Sequence, residues 1–383
     1  MNDHQLSQDQ REAVDLVRGW FAAAGPGEAG QRFSLAGYAG TGKTTLTATI
    51  VGGFVADGVR ILVGAPTGKA ALRLRQKGLH AETIHRLAYR FAGHDEDGDP
   101  EFTWTGMGSA DQKMLVVVDE ASMVNEAIYR DLLAGGYRFL FVGDHGQLPP
   151  VGGDPGIMRS PDYALSVIHR QDDEGLLDFA HGLREGAHLP PARGAVEVVR
   201  SRPGRGTPRE VAEADVVICW RNRTRHWLNH ALMVARGILP RSLEFDADDA
   251  VGALRALGDR WVRVVCLRND YRVGVFNGEL LELLVEHVGR SSVIGRVRRD
   301  GDDGDGFETV ADLAGFRADR PGQPAQGTLL LDFGYALTCH KAQGSEWDHV
   351  AVYDETHDRM EDRARWCYTA ATRAKKRLSW VRG

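Results

Sequence analysis

One eight-residue stretch limits this chain more than any other. Gly37-Tyr38-Ala39-Gly40-Thr41-Gly42-Lys43-Thr44 fits the pattern G-x-x-x-x-G-K-[ST] and is followed by Thr45. Ahead of it Phe33-Ser34-Leu35-Ala36 is a strand-like apolar run, and behind it a helical pattern extends from Lys43 to about Ala56. Strand, glycine-rich turn and helix in that order make a phosphate cradle. The glycines let backbone N–H groups wrap the anion, and the helix N-terminus adds its dipole. Lys43 can reach the terminal phosphates, and the Thr44 hydroxyl can ligate Mg2+.

The runs Val59 to Ala65, Met114 to Val118 and Arg138 to Val142 alternate with helical patterns over Ala70 to Lys77 and on through Leu133. Continuous apolar strands between amphipathic helices predict a parallel sheet covered on both faces, an α/β domain. Two further strand ends carry chemistry. Val116-Val117-Val118 runs into Asp119-Glu120. A carboxylate at the strand end suits a hard cation, and a second one suits the orientation and deprotonation of a water, so the pair points to hydrolysis. Phe141-Val142-Gly143-Asp144 leads to Gln147, whose amide can bond both a γ-phosphate and a water.

Composition excludes several classes. The 383 residues are 43% hydrophobic and 26% charged, with no run near the roughly 18–20 apolar residues of a membrane span. Met1-Asn2-Asp3-His4-Gln5 lacks the basic-then-apolar order of a signal peptide, so a cytoplasmic protein is expected. Cys219, Cys266, Cys339 and Cys367 are far apart, which leaves a zinc site or redox pair unsupported. The net charge of -6 does not announce nucleic acid, although a basic groove can sit on an acidic molecule.

The first α/β region is expected over 1–160, broken over 88–113 by a hairpin in which Glu101-Phe102-Thr103-Trp104-Thr105 alternates like a strand. A second α/β region is expected over 161–274 and 331–383. Between them, 275–330 reads as short β-prone runs around Gly- and Asp-rich turns, a small β-barrel-like insertion. The segment Arg221-Asn222-Arg223-Thr224-Arg225-His226-Trp227-Leu228-Asn229 has two readings. It is a basic and aromatic nucleic-acid contact, or a solvated helix start with Trp227 packed inside.

Gly37 to Thr45, Asp119-Glu120 and Gly143-Asp144-x-x-Gln147-Leu148-Pro149-Pro150 resemble motifs I, II and III of superfamily 1 helicases, in particular the RecD and Dda branch. The remaining motifs follow in the order the resemblance requires. Leu6 to Val14 is similar to the Q motif, Ala65 to Ala71 to motif Ia, and Thr83 to Leu87 to motif Ib. Ile168 to Gln171 is similar to motif IV, Thr338 to Glu346 to motif V, and Tyr368 to Ala374 to motif VI. Taken singly, Gln10, His85 and His340 read as ordinary structural or solvated residues. Their order, from residue 6 to residue 374, sets them apart.

The resemblance implies two RecA-like P-loop lobes with parallel sheets, a short hairpin pin in the first and an SH3-like β insertion in the second. It implies ATP and Mg2+ as cofactors, with Thr44 and Asp119 on the metal and Lys43, Glu120 and Gln147 in catalysis. Arg373, with Arg170 second, is the arginine that stabilises charge on the transferring phosphate. Gln10 would read adenine, the loop Gly37 to Thr45 would hold the phosphates, and Glu346 would contact the ribose. Pro66, Thr67, Lys69, Thr83 and His85 would line one half of a path for single-stranded DNA, and His340 and Lys341 the other. Phe102 and Trp104 would stack on the last base pair of a duplex junction, or else close a small hydrophobic cap. The implied protein is a monomeric ATP-dependent DNA helicase moving 5′-to-3′, with replication or repair proteins as candidate partners and no membrane. Two alternatives stay open: a single-stranded-DNA-stimulated ATPase that unwinds poorly, and a P-loop switch or phosphotransferase without nucleic acid.

Overall fold

A computed structural model of the chain describes residues 6–23, 30–94, 100–108, 114–167, 174–200, 209–243, 250–270, 272–317, 325 and 327–382. The chain parts into two compact units, Met1–Gln171 and Asp172–Gly383. No helix among the described residues is long and apolar enough to cross a membrane.

The first unit runs α1 (Gln8–Ala23), β1 (Arg32–Gly37), α2 (Lys43–Ala56), β2 (Arg60–Ala65), α3 (Gly68–Gln76), β3 (Ala81–Thr83) and α4 (Ile84–Ala88). It continues with β4 (Tyr89–His94), β5 (Pro100–Trp104), β6 (Met114–Val118), α5 (Glu126–Ala134), β7 (Arg138–Gly143) and β8 (Tyr163–Leu165). Six parallel strands are ordered β3-β2-β6-β7-β1-β8. Strand β6 shows why it is apolar throughout: Leu115 and Val117 join one core, while Met114, Val116 and Val118 join another. Side chains alternate across a strand, so a sheet clothed on both faces needs apolar residues at every position. The expected boundary at residue 160 falls short because Leu35 to Gly37 pair in register with β8, whose Leu165 completes the core. Strands β4 and β5 form the antiparallel hairpin expected within 88–113; its 95–99 stretch lies outside the described residues.

The second unit begins with α6 (Glu174–Arg184), β9 (Val196–Arg200), α7 (Arg209–Glu213), β10 (Val216–Cys219), α8 (Asn222–Ala235) and α9 (Ala250–Arg255). Then come β11 (Trp261–Cys266), β12 (Leu280–Val288), β13 (Ser292–Arg299), β14 (Phe307–Asp312) and β15 (Leu329–Phe333). It ends with β16 (Ala336–Thr338), α10 (Cys339–Ala342), β17 (Trp347–Asp354), α11 (Arg363–Ala371) and β18 (Ala374–Arg382). A parallel sheet ordered β16-β10-β17-β18-β9 forms the second RecA-like lobe, and β11 to β15 close into a five-stranded barrel. The barrel is wider than the 275–330 read from sequence. Trp261 to Val265 pair antiparallel with β12, and Val264 to Cys266 pair with β15, so the strand placed in the lobe is the barrel's first. Barrel and lobe share one core, in which Val217 and Cys219 cluster with Val264, Leu281 and Leu331.

Candidate nucleotide and nucleic-acid site

The sheet order of the first unit sorts the candidate residues along one carboxyl edge. Thr83 ends β3, Pro66 and Thr67 follow β2, Asp119 and Glu120 follow β6, Asp144 follows β7, and the glycine-rich loop follows β1. In parallel α/β sheets this edge is where ligands bind. The phosphate-type groups thus occupy β6, β7 and β1, and the proposed strand contacts occupy β3 and β2.

The loop is built for an anion. A Cβ at Gly37 would stand 2.5 Å from the Thr41 hydroxyl, so no larger residue fits there. Gly42 holds a left-handed φ of 77° as the N-cap of α2 and supplies no capping side chain. The first N–H groups of that helix are therefore left for a ligand. Lys43 Nζ donates to the carbonyls of Gly37 at 2.8 Å and Tyr38 at 2.9 Å, and lies 3.9 Å from the Asp144 carboxylate. Tyr38 also meets the His145 ring at 4.2 Å. Thr44 is half-buried and Thr45 exposed at the start of α2; Ala39 and Gly40 lie half-buried in the turn.

Gln10 is tied to this loop. Its amide nitrogen donates to the Thr41 carbonyl at 3.1 Å, and its amide oxygen accepts from Ser7 N at 3.1 Å. Both bonds brace the loop, and reading a base through Gln10 would exchange them.

Asp119 is buried, and its backbone N–H donates to Gly64 O at 3.0 Å, which fixes it beside β2. Burial, with the adjoining Glu120 charge, pushes the Asp119 carboxyl up to about 7 against the pull of Lys43 and Arg73. Glu120 has φ 51°, the one non-glycine residue with positive φ among the described residues. Bulky residues rarely adopt that conformation, and it concentrates at functional sites. Gln147 is buried; its amide nitrogen donates to Asp144 at 3.3 Å, and its oxygen has no hydrogen-bond partner among the described residues. A buried acceptor without a donor costs on the order of 1–3 kcal/mol, which a water or ligand would recover. Asp119 and the Thr44 hydroxyl are hard oxygen donors that fit Mg2+ beside phosphates and water. No group of three or more His, Cys, Asp or Glu that could hold a metal occurs among the described residues.

Two residues here escape the sequence reading. Asp144 gathers Lys43, Gln147 and the Gly146 N–H around one carboxylate. Its position at the end of β7 was the available signal. Arg73, on α3, lies 4.0 Å from Glu120 and links the two halves of the edge. Nothing in the local sequence marks it.

On the strand-contact half, the Thr67 and Thr83 hydroxyls cap α3 and α4 by accepting from Ala70 N and Arg86 N, both at 3.2 Å. Lys69 and His85 are half-buried, and burial pulls the His85 ring below the usual histidine value. Phe102 faces His85 at 5.1 Å. Trp104 instead meets Tyr89 edge-on at 5.2 Å and packs on the core beneath α5, while the Tyr89 hydroxyl donates to Asp131 at 2.7 Å. The two hairpin aromatics therefore differ: Trp104 roots the hairpin and Phe102 is held outside that core.

In the second unit His340 is exposed on α10, and Lys341 Nζ donates to Asn277 Oδ1 at 3.4 Å. Burial and the neighbouring Arg225 push the Lys341 amine down to about 8. Glu346 is half-buried ahead of β17. Arg373 is buried and donates to the carbonyls of Thr369 and Ser345 and to the Thr372 hydroxyl. Arg170, with Ile168, His169 and Gln171, lies outside the described residues. The segment after β10 divides between its two readings: Arg221 and Arg223 are exposed, as a nucleic-acid contact requires, and Arg225 and His226 are not. Arg225 is buried in an ion pair with Asp332, and His226 lies 3.7 Å from the same carboxylate. Trp227, expected inside in one of those readings, is 43% exposed.

Comparison with known proteins extends this geometry. Residues 5–202, just over half of the chain, match the AAA domain family, and residues 333–381 match the UvrD-like helicase C-terminal domain. The ATP-dependent RecD2 DNA helicase of Deinococcus radiodurans is 33% identical over 97% of the chain. The chain spans about half that relative's length, 48%. The RecBCD enzyme subunit RecD of Mycolicibacterium smegmatis is 26% identical over 91% of the chain and 67% of its own length. Among solved structures, Bacteroides Pif1 bound to single-stranded DNA shares the fold, with a TM-score of 0.56 and 18% identity over 98% of this chain and 92% of that one.

Proposed function

We propose that this chain, which belongs to the superfamily 1 RecD/Pif1-like helicases, is an ATP-dependent DNA helicase that moves 5′-to-3′ on single-stranded DNA and separates duplex ahead of it. The observation that carries the reading is the single carboxyl edge of the first sheet, with a phosphate loop, a buried carboxylate and a glutamine oxygen without a partner among the described residues at one end and two capped helix starts at the other. Lys43 and the first N–H groups of α2 hold the phosphates of ATP. Thr44 and Asp119 offer the hydroxyl and carboxylate oxygens for Mg2+, which when bound neutralises charge on the β- and γ-phosphates. Glu120 takes the proton of the attacking water, and the free oxygen of Gln147 accepts a hydrogen bond from that water. Arg373 is assigned to the charge that develops on the transferring phosphate. Pro66, Thr67, Lys69, Thr83, His85, His340 and Lys341 contact the strand through its phosphates, which makes binding sequence-independent. Phe102 is assigned to the junction, and Trp104 to the support of its hairpin.

Strand separation on partial duplexes with a 5′ or a 3′ single-stranded tail tests the reading. Unwinding of the 5′-tailed substrate alone is expected. Unwinding of neither, with ATP hydrolysis still stimulated by single strands, replaces the helicase with a translocase. Hydrolysis indifferent to single-stranded DNA refutes the nucleic-acid reading and leaves a nucleotide switch.

A further inference from the structure

The turn after β10 is used by neither the phosphate site nor the contacts assigned above. In the second sheet β10 lies between β16 and β17, with Cys219 in register with Thr338 and Ile218 with Val352. One strand spacing, about 4.8 Å, therefore separates the Trp220 turn from the start of α10, which carries His340 and Lys341. On the other flank β17 runs out into Glu355 and His357. The Glu355 carboxylate accepts from Trp220 N at 3.0 Å, Arg221 N at 3.3 Å and the Thr224 hydroxyl at 2.5 Å. Three donors on one carboxylate hold the turn in place.

On this fixed turn the Arg221 guanidinium lies 4.9 Å from the centre of the Trp220 ring, and the His357 ring lies 5.8 Å away, tilted by 56°. Arg221, Arg223 and His357 are exposed and Trp220 is half-buried. A buried aromatic needs no cation above it for packing. An aromatic left half-open under an arginine, with a second arginine beside it, offers a π face and positive charge together. Those are the two properties that hold an unpaired nucleobase and its phosphate.

We infer that Trp220 and Arg221, flanked by His357, form a nucleobase-stacking step on the second lobe, beside the phosphate contacts of His340 and Lys341. The ligand is an unpaired base of single-stranded DNA. The inference rests on the single-stranded DNA reading above and adds base contacts to an interface otherwise made through phosphates. Stacking tolerates every base, so the step holds the strand without selecting a sequence.

The test compares binding of the full chain to oligothymidine and to an abasic sugar–phosphate strand of equal length, by fluorescence anisotropy at one salt concentration. Wild-type protein should prefer oligothymidine. Trp220→Ala should weaken oligothymidine binding about tenfold, equivalent to about 1.4 kcal/mol, and leave the abasic strand nearly unaffected. Trp220→Phe, which keeps a π face, should retain most of the preference. Should Trp220→Ala fail to fold, the exposed Arg221→Ala must show the same base-dependent loss. Equal loss on both strands, or no loss, overturns the stacking step. Wild-type protein that binds both strands equally overturns the step and leaves the DNA reading standing; wild-type protein that binds neither overturns both.

Discussion

Replacing Glu120 by Gln separates two properties that the structure ties to one carboxylate. The first is proton abstraction: a positioned base contributes about 10²–10⁴ in rate, so turnover should fall at least 100-fold. The second is the effect on Asp119, whose carboxyl is pushed up to about 7 first by burial and then by the Glu120 charge. Mg2+ binding needs Asp119 deprotonated. In the wild type, metal-dependent nucleotide binding should therefore be lost toward acid sooner than an ordinary aspartate would allow, because the raised Asp119 carboxyl takes up its proton at higher pH. Two like charges in one half-buried site repel by about 2–3 kcal/mol at an effective dielectric near 20. Lys43 and Arg73 offset part of it, so the Glu120 share stays below the roughly two pKa units to which that energy corresponds. Glu120→Gln should thus bind Mg2+-nucleotide with its midpoint moved toward acid, by less than about two units, while barely hydrolysing it. Equilibrium binding of a fluorescent ATP analogue from acid to mild alkali, with and without Mg2+, reads the midpoint directly. A midpoint unmoved by the substitution refutes the electrostatic coupling, and normal turnover removes Glu120 from the base role.

The hairpin aromatics should respond unequally: Phe102→Ala should lose strand separation with ATP hydrolysis retained, while Trp104→Ala, which removes a half-buried ring from the edge of the core, should lower stability by about 1–3 kcal/mol. Melting curves and unwinding rates check the split, and equal loss of hydrolysis in Phe102→Ala counts against the pin. Single-stranded DNA affinity should weaken as pH rises through about 8, because the Lys341 amine is pushed down to that value and its charge is present only below it. Lys341→Arg should remove this pH step, and a wild-type affinity flat from pH 7 to 9 excludes Lys341 from the contact. Asp332→Asn should strand the buried Arg225 and cost about 3–5 kcal/mol, seen by calorimetry as a lower Tm, whereas replacing both partners with apolar residues should restore most of it.

Strand ends were legible in the sequence and cross-element contacts were not. The runs ending at Gly37 and Asp119 each announce an apolar strand followed by a turn, so their chemistry could be read residue by residue, whereas the run into Asp144 announces the strand but not the carboxylate's hold on Lys43 and Gln147. The Arg73–Glu120 pair depends on where α3 settles against β6, which packing decides. The orientation of α8 follows from its spacing. Arg225, Leu228, Asn229 and Leu232 follow helical spacing and form the buried stripe, so Trp227 falls off it and Arg225 on it. A buried arginine needs a partner, and Asp332, more than 100 positions away in the chain, gave no local sign of being one. The barrel's first strand looked like lobe because Trp261 to Leu267 is apolar in the same manner as a parallel strand; only its pairing with β12 reassigns it. Arg170 and the hairpin's 95–99 stretch lie outside the described residues.

The 4.0 Å contact between Arg73 and Glu120 has a thermodynamic corollary. Arg73 and Lys69 lie on α3, the short helix that Thr67 caps, so a strand that shifts α3 changes the surroundings of Glu120 through the Arg73 side chain. Coupling between two bound ligands is reciprocal: the factor by which DNA alters nucleotide affinity is the factor by which nucleotide alters DNA affinity. The Arg73 guanidinium joins the two ends of one sheet edge, so Arg73→Ala should weaken both effects by the same factor.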